Sequence, residues 1–161
     1  MKKNIHKKEF RKMPVSAMIL VLLVVFQALS GLAGGICLTI APSGSIMQIP
    51  VNELAGSPFH NYLIPGLCLF ILLGILPSIA AVGLIRKKTG TWQNLLNIYR
   101  KRHWSWSFSL YTGLMLIFWI DVEIWIIGYG SLLQAIYGIT GLLITIFSLA
   151  PGVMKFYKTS R

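Results

Sequence analysis

The chain has 161 residues, of which 55% are hydrophobic and only 12% charged, and its mean hydropathy is +0.71. This composition is too apolar for a soluble domain of this size and is typical of a membrane-embedded helical bundle. The formal net charge of +11 does not indicate a nucleic-acid partner, because the basic residues flank apolar stretches and no nucleic-acid-binding module is present.

The 15 Lys and Arg residues occur in three places: before Pro14, between Arg86 and Arg102, and after Met154. By the positive-inside rule, all three segments face the cytoplasm, so the chain crosses the membrane an even number of times between them. We therefore predict an all-α bundle of four transmembrane helices, formed by residues 1–161 as a single membrane domain. We expect it in a bacterial cytoplasmic membrane, with both termini cytoplasmic and anionic lipids among its contacts.

The first predicted span covers residues 14–40, where Gln27 is one of a few polar interruptions. A cleaved signal peptide with its cleavage site at 31–33 is the alternative, but the apolar run continues past that point and is long enough to cross a membrane. The outer loop that follows, residues 41–61, is rich in Pro and Gly, and Pro50 predicts a short helix over 51–55.

The second predicted span, residues 62–85, contains helix-breaking residues, namely Pro65, Gly66, Gly74 and Pro77. We expect it to be kinked or partly unwound, with the freed carbonyl groups satisfied by neighbouring helices.

The inner loop, residues 86–103, carries apolar residues near helical spacing, namely Trp92, Leu95, Leu96, Ile98 and Tyr99. This pattern predicts a short helix lying in the cytoplasmic membrane interface. A partner-binding helix is the alternative.

The third and fourth predicted spans cover residues 104–127 and 132–154, joined by a short outer turn. Aromatic residues are expected to mark both membrane interfaces. The inner pair is Trp104 and Trp106, and the outer set is Tyr62, Trp125 and Tyr129.

Small residues at helical spacing predict close helix contacts, and Gly31 with Gly35 forms a GxxxG motif. Such contacts form either within one chain or between chains, so a homo-oligomer or another membrane-protein partner stays open. The two cysteines, Cys37 and Cys68, lie in neighbouring spans and form no CxxC motif. We expect free thiols, with a disulfide as the alternative.

Two of the four acidic residues, Asp121 and Glu123, fall inside the third span, where an ionised carboxylate is energetically unfavourable and often functional. At 100° per residue, Glu123 shares a face with small and polar residues, namely Ser105, Ser109 and Thr112. This face is expected to point inwards. Asp121 lies 200° away, so the two carboxylates cannot act as a pair on one helix face.

We predict an outward-facing polar pocket around Glu123. Its candidate members besides Glu123 and Asp121 are His60, Asn61, Tyr62, Gln134 and Tyr137. The alternative is that Glu123 is a hydrogen-bonded tie between helices and Asp121 reaches towards the headgroups. Metal binding by His60 with Glu123 is disfavoured, and no catalytic, cofactor or metal motif is present, so we expect neither enzymatic activity nor a cofactor.

Three patterns carry a resemblance: Ser57-Pro-Phe59 followed by Tyr62 and Pro65-Gly66, Trp119-x-x-x-Glu123, and Gln134-x-x-Tyr137-Gly138. Over residues 28–150 the chain resembles a group of small bacterial four-helix membrane proteins to which no activity is assigned. The resemblance implies that the outer loop, Glu123 and Gln134 belong to one site or one packing cluster.

These features lead to three functional hypotheses. The first is an integral membrane protein with a structural or accessory role. The second is a small transporter coupled to protons or cations through Glu123. The third is a membrane thiol-redox or lipid-processing enzyme that would use Cys37, Cys68 and the outer polar residues.

Overall fold

The structure is a computed structural model that describes residues 12–88 and 94–159. The described part is helical, and four segments in it are long and apolar enough to cross a membrane. They are Val15–Ile40, Leu63–Arg86, Trp104–Ile127 and Leu132–Leu149. The predicted all-α bundle of four helices is confirmed, and the fold is that of a multi-pass membrane protein.

The elements follow in chain order. They are α1 (Val15–Ile40), a 3-10 helix (Val51–Leu54), α2 (Leu63–Phe70), a π-helical turn (Ile71–Ile75), α3 (Leu76–Arg86), α4 (Trp104–Ile127), α5 (Leu132–Leu149) and α6 (Pro151–Phe156). Each span packs against the next, and α5 returns to α1. The loop 41–62 and the turn 128–131 define the loop end of the bundle, and residues 12–14, 86–88, 94–103 and 150–159 define its basic end.

The predicted break in the second span is present as the π-helical turn between α2 and α3. Pro77 has no N–H, so it cannot supply the α-helical donor to the carbonyl of Leu73, four residues earlier. The Gln27 side chain of α1 supplies one instead, with Nε2 3.3 Å from that oxygen. A neighbouring helix thus satisfies a carbonyl at the break, as the sequence predicted.

The fourth span ends at Leu149, earlier than the expected end near Met154. Ala150 precedes a proline and is extended, with ψ of 132°, because the Pro151 ring disfavours helical backbone at the residue before it. The chain then continues into α6, and Tyr157 folds back into the bundle, where its hydroxyl donates to the Leu84 carbonyl at 2.9 Å.

The GxxxG motif of α1 forms a contact within the chain. Gly31 packs against the backbone of Leu73, and Gly35 packs against the backbone of Phe70. A Cβ atom at either glycine would overlap these backbones, so only glycine permits the approach. This face is therefore occupied by the second span and is not free for a second copy.

The bundle is densely packed at its basic end. Trp104 and Trp106 are buried there, and their indole N–H groups donate to the carbonyls of Lys88 at 2.9 Å and Ser148 at 2.7 Å. Each indole N–H thus finds its acceptor inside the protein, and the position of these two residues at a membrane interface stays a prediction. Tyr62 is likewise buried, whereas the predicted interface residues Trp125 and Tyr129 are exposed.

The inner loop is described from residue 94 onwards. Residues 94 and 95 are helical and turns follow, while Leu95 and Ile98 are exposed. Asn97 holds this loop on the bundle by donating to the Arg102 carbonyl at 2.9 Å and accepting from the Ser107 hydroxyl at 2.5 Å. The remainder of the predicted interfacial helix, with Trp92, lies outside the described residues.

Candidate functional site

The half of the bundle nearest the loop end contains a partly open cavity of about 480 Å³. Residues from all four spans and from the loop 41–62 line it, and most of its surface is apolar. Its main polar lining residues are Gln27, Ser30, Glu53, Tyr62, Glu123 and Tyr137.

The cavity exists because the two halves of the bundle are filled differently. Near the basic end, the large side chains of Trp106 and Phe108 occupy the interior. Near the loop end, α1 presents the small residues Ser30, Gly31 and Gly34 to the interior. Since protein interiors are otherwise close-packed, an unfilled volume of this size in one half is a specific feature of this fold.

Glu123 lies on the inward face of α4, one turn from the end of the helix. The predicted polar stripe on this face is buried, including Ser105, Ser109 and Thr112. The Glu123 carboxyl lies near two polar side chains, Trp119 on its own helix and Gln134 on α5. At 1.5 Å per residue, the carboxyl is roughly 6 Å below the end of α4, within the apolar part of the bundle.

Gln134 is buried and forms a capping box with Ser131 at the start of α5. Its Oε1 accepts from the backbone N–H of Gly130 at 3.1 Å and of Ser131 at 3.2 Å, and its Nε2 donates to the Gly128 carbonyl at 3.0 Å. These bonds hold the side chain in place. Gln134 therefore ties the 128–131 turn to the start of α5, beside Glu123.

Tyr62 closes the cavity on the side of the loop. Its hydroxyl donates to the Pro50 carbonyl at 3.0 Å. Burial raises the pKa of Tyr62, and the nearby Glu53 and Glu123 carboxylates raise it further, so the hydroxyl stays protonated as a donor. Glu53, to which the sequence analysis assigned no role, therefore contributes negative charge to the same region as Glu123.

Gln27 is a second polar residue of the cavity that the sequence did not identify as part of a site. It lies in the middle of α1, is only 1% exposed and lines the cavity. Its Nε2 is bonded to Leu73, whereas its Oε1 has no hydrogen-bonding partner among the described residues. A strongly polar amide at the centre of an apolar span was the available signal, but sequence alone does not show what it faces.

The structure brings together only part of the predicted polar pocket. Tyr62, Glu123 and Tyr137 line the cavity, and Gln134 lies near Glu123. Tyr137 also stacks on Phe26, with ring centroids 6.2 Å apart.

The other three predicted members lie elsewhere. His60 is exposed on the loop, and Asn61 uses its Oδ1 to accept from the Leu63 N–H at 3.0 Å at the start of α2. Asp121 is exposed on the outer face of α4 with Phe118, as its angular separation from Glu123 requires. Cys37 and Cys68 are free thiols, and Cys68 lines the cavity.

The fold and the cavity thus define a class, a four-span membrane protein with an internal chamber in one half of its bundle. The chain matches no protein-family model, no curated protein and no solved structure. Its function is therefore inferred from the chemistry of the cavity.

Proposed function

We propose that this protein binds a small, largely apolar molecule in the cavity between its four spans. The observation that carries the proposal is the cavity itself, whose apolar surface is interrupted by a few polar groups. Ligand sites in proteins have this construction, in which apolar walls supply affinity and a few polar groups orient the ligand.

The orientation of the protein follows from its charges. We place the basic end in the cytoplasm of a bacterial cell and the loop end outside, because the described Lys and Arg residues lie at the basic end. In this orientation the cavity lies in the outer half of the cytoplasmic membrane, beneath the loop 41–62. A ligand would enter from the outer leaflet or from the outer aqueous phase.

Transport is the second candidate function. It is favoured by the π-helical turn Ile71–Ile75, which lies beside Gln27 at the centre of α1. Interrupted helices beside a central binding site are typical of transporters, since the interruption provides polar backbone groups and a hinge. Flux of a bound ligand across the membrane of liposomes that contain the purified protein would support transport. Binding without flux would instead indicate a membrane-embedded receptor or binding protein.

The binding proposal is tested by filling the cavity. Ser30→Trp places a large side chain in the chamber, and Leu114→Trp places the same side chain on the exposed face of α4 as a control. The proteins are extracted with a polymer that retains native lipid, and organic molecules that copurify are quantified by mass spectrometry. Equal midpoint temperatures of thermal unfolding for the two variants confirm that both are folded.

We expect a molecule other than bulk phospholipid to copurify with the wild type and with Leu114→Trp, and to be lost from Ser30→Trp. Retention of the same molecules by Ser30→Trp would show that the cavity is not their site. A wild type that carries only bulk phospholipid would also contradict the proposal.

A further inference from the structure

We infer that the ligand is a lipophilic amine in its protonated form, with its positive charge directed towards Glu123. This inference rests on the proposed binding function and adds the chemical class of the ligand. Three independent features of the cavity support it: an acceptor without a donor, an excess of negative charge, and a wall of aromatic rings.

The acceptor without a donor is Oε1 of Gln27. The orientation of this amide is determined by its other end, because the Leu73 carbonyl can only accept a hydrogen bond and must face Nε2. Oε1 is therefore the free atom, and it is buried with no partner among the described residues. A buried acceptor left without a donor is unfavourable, so a ligand that carries N–H groups gains by supplying one.

The negative charge comes from Glu53 and Glu123, which both line the cavity. None of the described residues that line it is Lys, Arg or His. The described Lys and Arg residues lie instead at the opposite end of the bundle. A cation that enters the cavity therefore meets two carboxylates and no positive side chain, whereas an anion would be repelled.

Aromatic rings supply the apolar wall. Phe59, Tyr62, Trp119 and Tyr137 all line the cavity, and Trp119 also lies near Glu123. The faces of aromatic rings attract cations, most strongly when water is excluded. The same rings pack against a hydrophobic body. An ammonium group on an aromatic or aliphatic skeleton supplies both the positive charge for the ring faces and the hydrophobic body that packs against them. An uncharged hydrocarbon lacks the charge, and a free metal ion lacks the hydrophobic body.

The test uses three probes that share one skeleton. They are 2-(2-naphthyl)ethylamine, which is a cation with N–H donors, its N,N,N-trimethyl derivative, which is a cation without donors, and 2-(2-naphthyl)ethanol, which is uncharged. Binding to the purified protein in lipid nanodiscs is measured by equilibrium dialysis, and partition into empty nanodiscs is subtracted. The variants are Glu123→Gln, Gln27→Leu and, as the matched control, Asp121→Asn.

We expect the wild type to bind the amine roughly tenfold or more tightly than the alcohol, the range expected for charge-assisted hydrogen bonds. Glu123→Gln should remove this preference, and Asp121→Asn should keep it because Asp121 is outside the cavity. Gln27→Leu should weaken binding of the amine and leave binding of the trimethyl derivative unchanged.

The contrary outcomes separate the inference from the function on which it rests. If all three probes bind with equal affinity and Ser30→Trp abolishes that binding, the cavity binds apolar molecules but does not select amines, and the inference fails alone. If none of the probes binds above the empty-nanodisc background, the inference fails, and the copurification experiment then decides the proposed function separately. An amine preference that persists in Glu123→Gln would overturn the role of that carboxylate.

Discussion

Gln27 of α1 donates a hydrogen bond from Nε2 to the carbonyl oxygen of Leu73, 3.3 Å away, in the middle of the π-helical turn of the second span. The bond joins the two spans that the GxxxG motif brings together. The other end of the amide, Oε1, has no hydrogen-bonding partner among the described residues. One side chain thus links the break in the helix, the contact between α1 and the second span, and the proposed site.

The first prediction concerns the coupling of Gln27 to Pro77. Gln27→Leu should lower the free energy of unfolding by about 0.6 kcal/mol, the usual size of an interhelical hydrogen bond in a membrane protein. In the Pro77→Ala background the loss should be smaller, because a non-proline residue there restores a backbone N–H for the Leu73 carbonyl. A double-mutant cycle, measured by unfolding in SDS, tests this. Equal losses in the two backgrounds would show that Pro77 is irrelevant to the bond.

The second prediction concerns the contact at Gly31. Gly31→Ala should destabilise the bundle by about 1–3 kcal/mol, because its Cβ would overlap the Leu73 carbonyl and the two spans would have to separate. Ala33→Leu, on an exposed position of the same helix, is the control and should change stability by less than about 0.5 kcal/mol. Unfolding in SDS measures the free energy of unfolding of both variants. If Gly31→Ala were as stable as the wild type, the close approach of these helices would be disproved.

The third prediction concerns the pH dependence of stability. Burial lowers the pKa of His103 below its ordinary value of 6.5. Well above pH 6.5 the imidazole is neutral in both the folded and the unfolded state, so it has no effect on stability. As the pH falls below that value, the unfolded chain binds the proton first, and the folded state loses stability.

His103→Asn tests this linkage. Asparagine is a favourable N-cap, so it should keep the cap that the His103 imidazole provides to the Ser105 N–H while removing the titrating group. We expect a smaller loss of unfolding free energy between pH 7 and pH 5 in the variant than in the wild type. Parallel curves for the two proteins would mean that the imidazole titrates alike in the folded and unfolded states.

The fourth prediction uses the two thiols. Cys68 lines the cavity and Cys37 does not, so N-ethylmaleimide should alkylate Cys68 faster than Cys37 in intact membranes. Ser30→Trp should slow the reaction at Cys68 and leave that at Cys37 unchanged. Peptide mass spectrometry at timed intervals gives both rates from one sample. A Cys68 rate that does not respond to Ser30→Trp would place that thiol outside the chamber.

Several features of this protein are determined by its sequence alone. Hydropathy determines the four helical spans, and the proline and glycine residues of the second span determine that it is interrupted. The angular positions of Asp121 and Glu123 on α4 determine that only one of them faces inwards. These properties depend on composition and spacing within a single segment, which is why they can be derived without knowledge of the partner segments.

The tertiary structure decided which side chains meet. It buried Trp104 and Trp106, and it placed Gln27 and Glu53 at the cavity but left His60 and Asn61 outside. Such outcomes depend on the rotation and depth of each helix relative to the others. Contacts between segments far apart in sequence set both quantities, as Gly31 does against Leu73, and no periodicity within one helix encodes where its neighbour will lie.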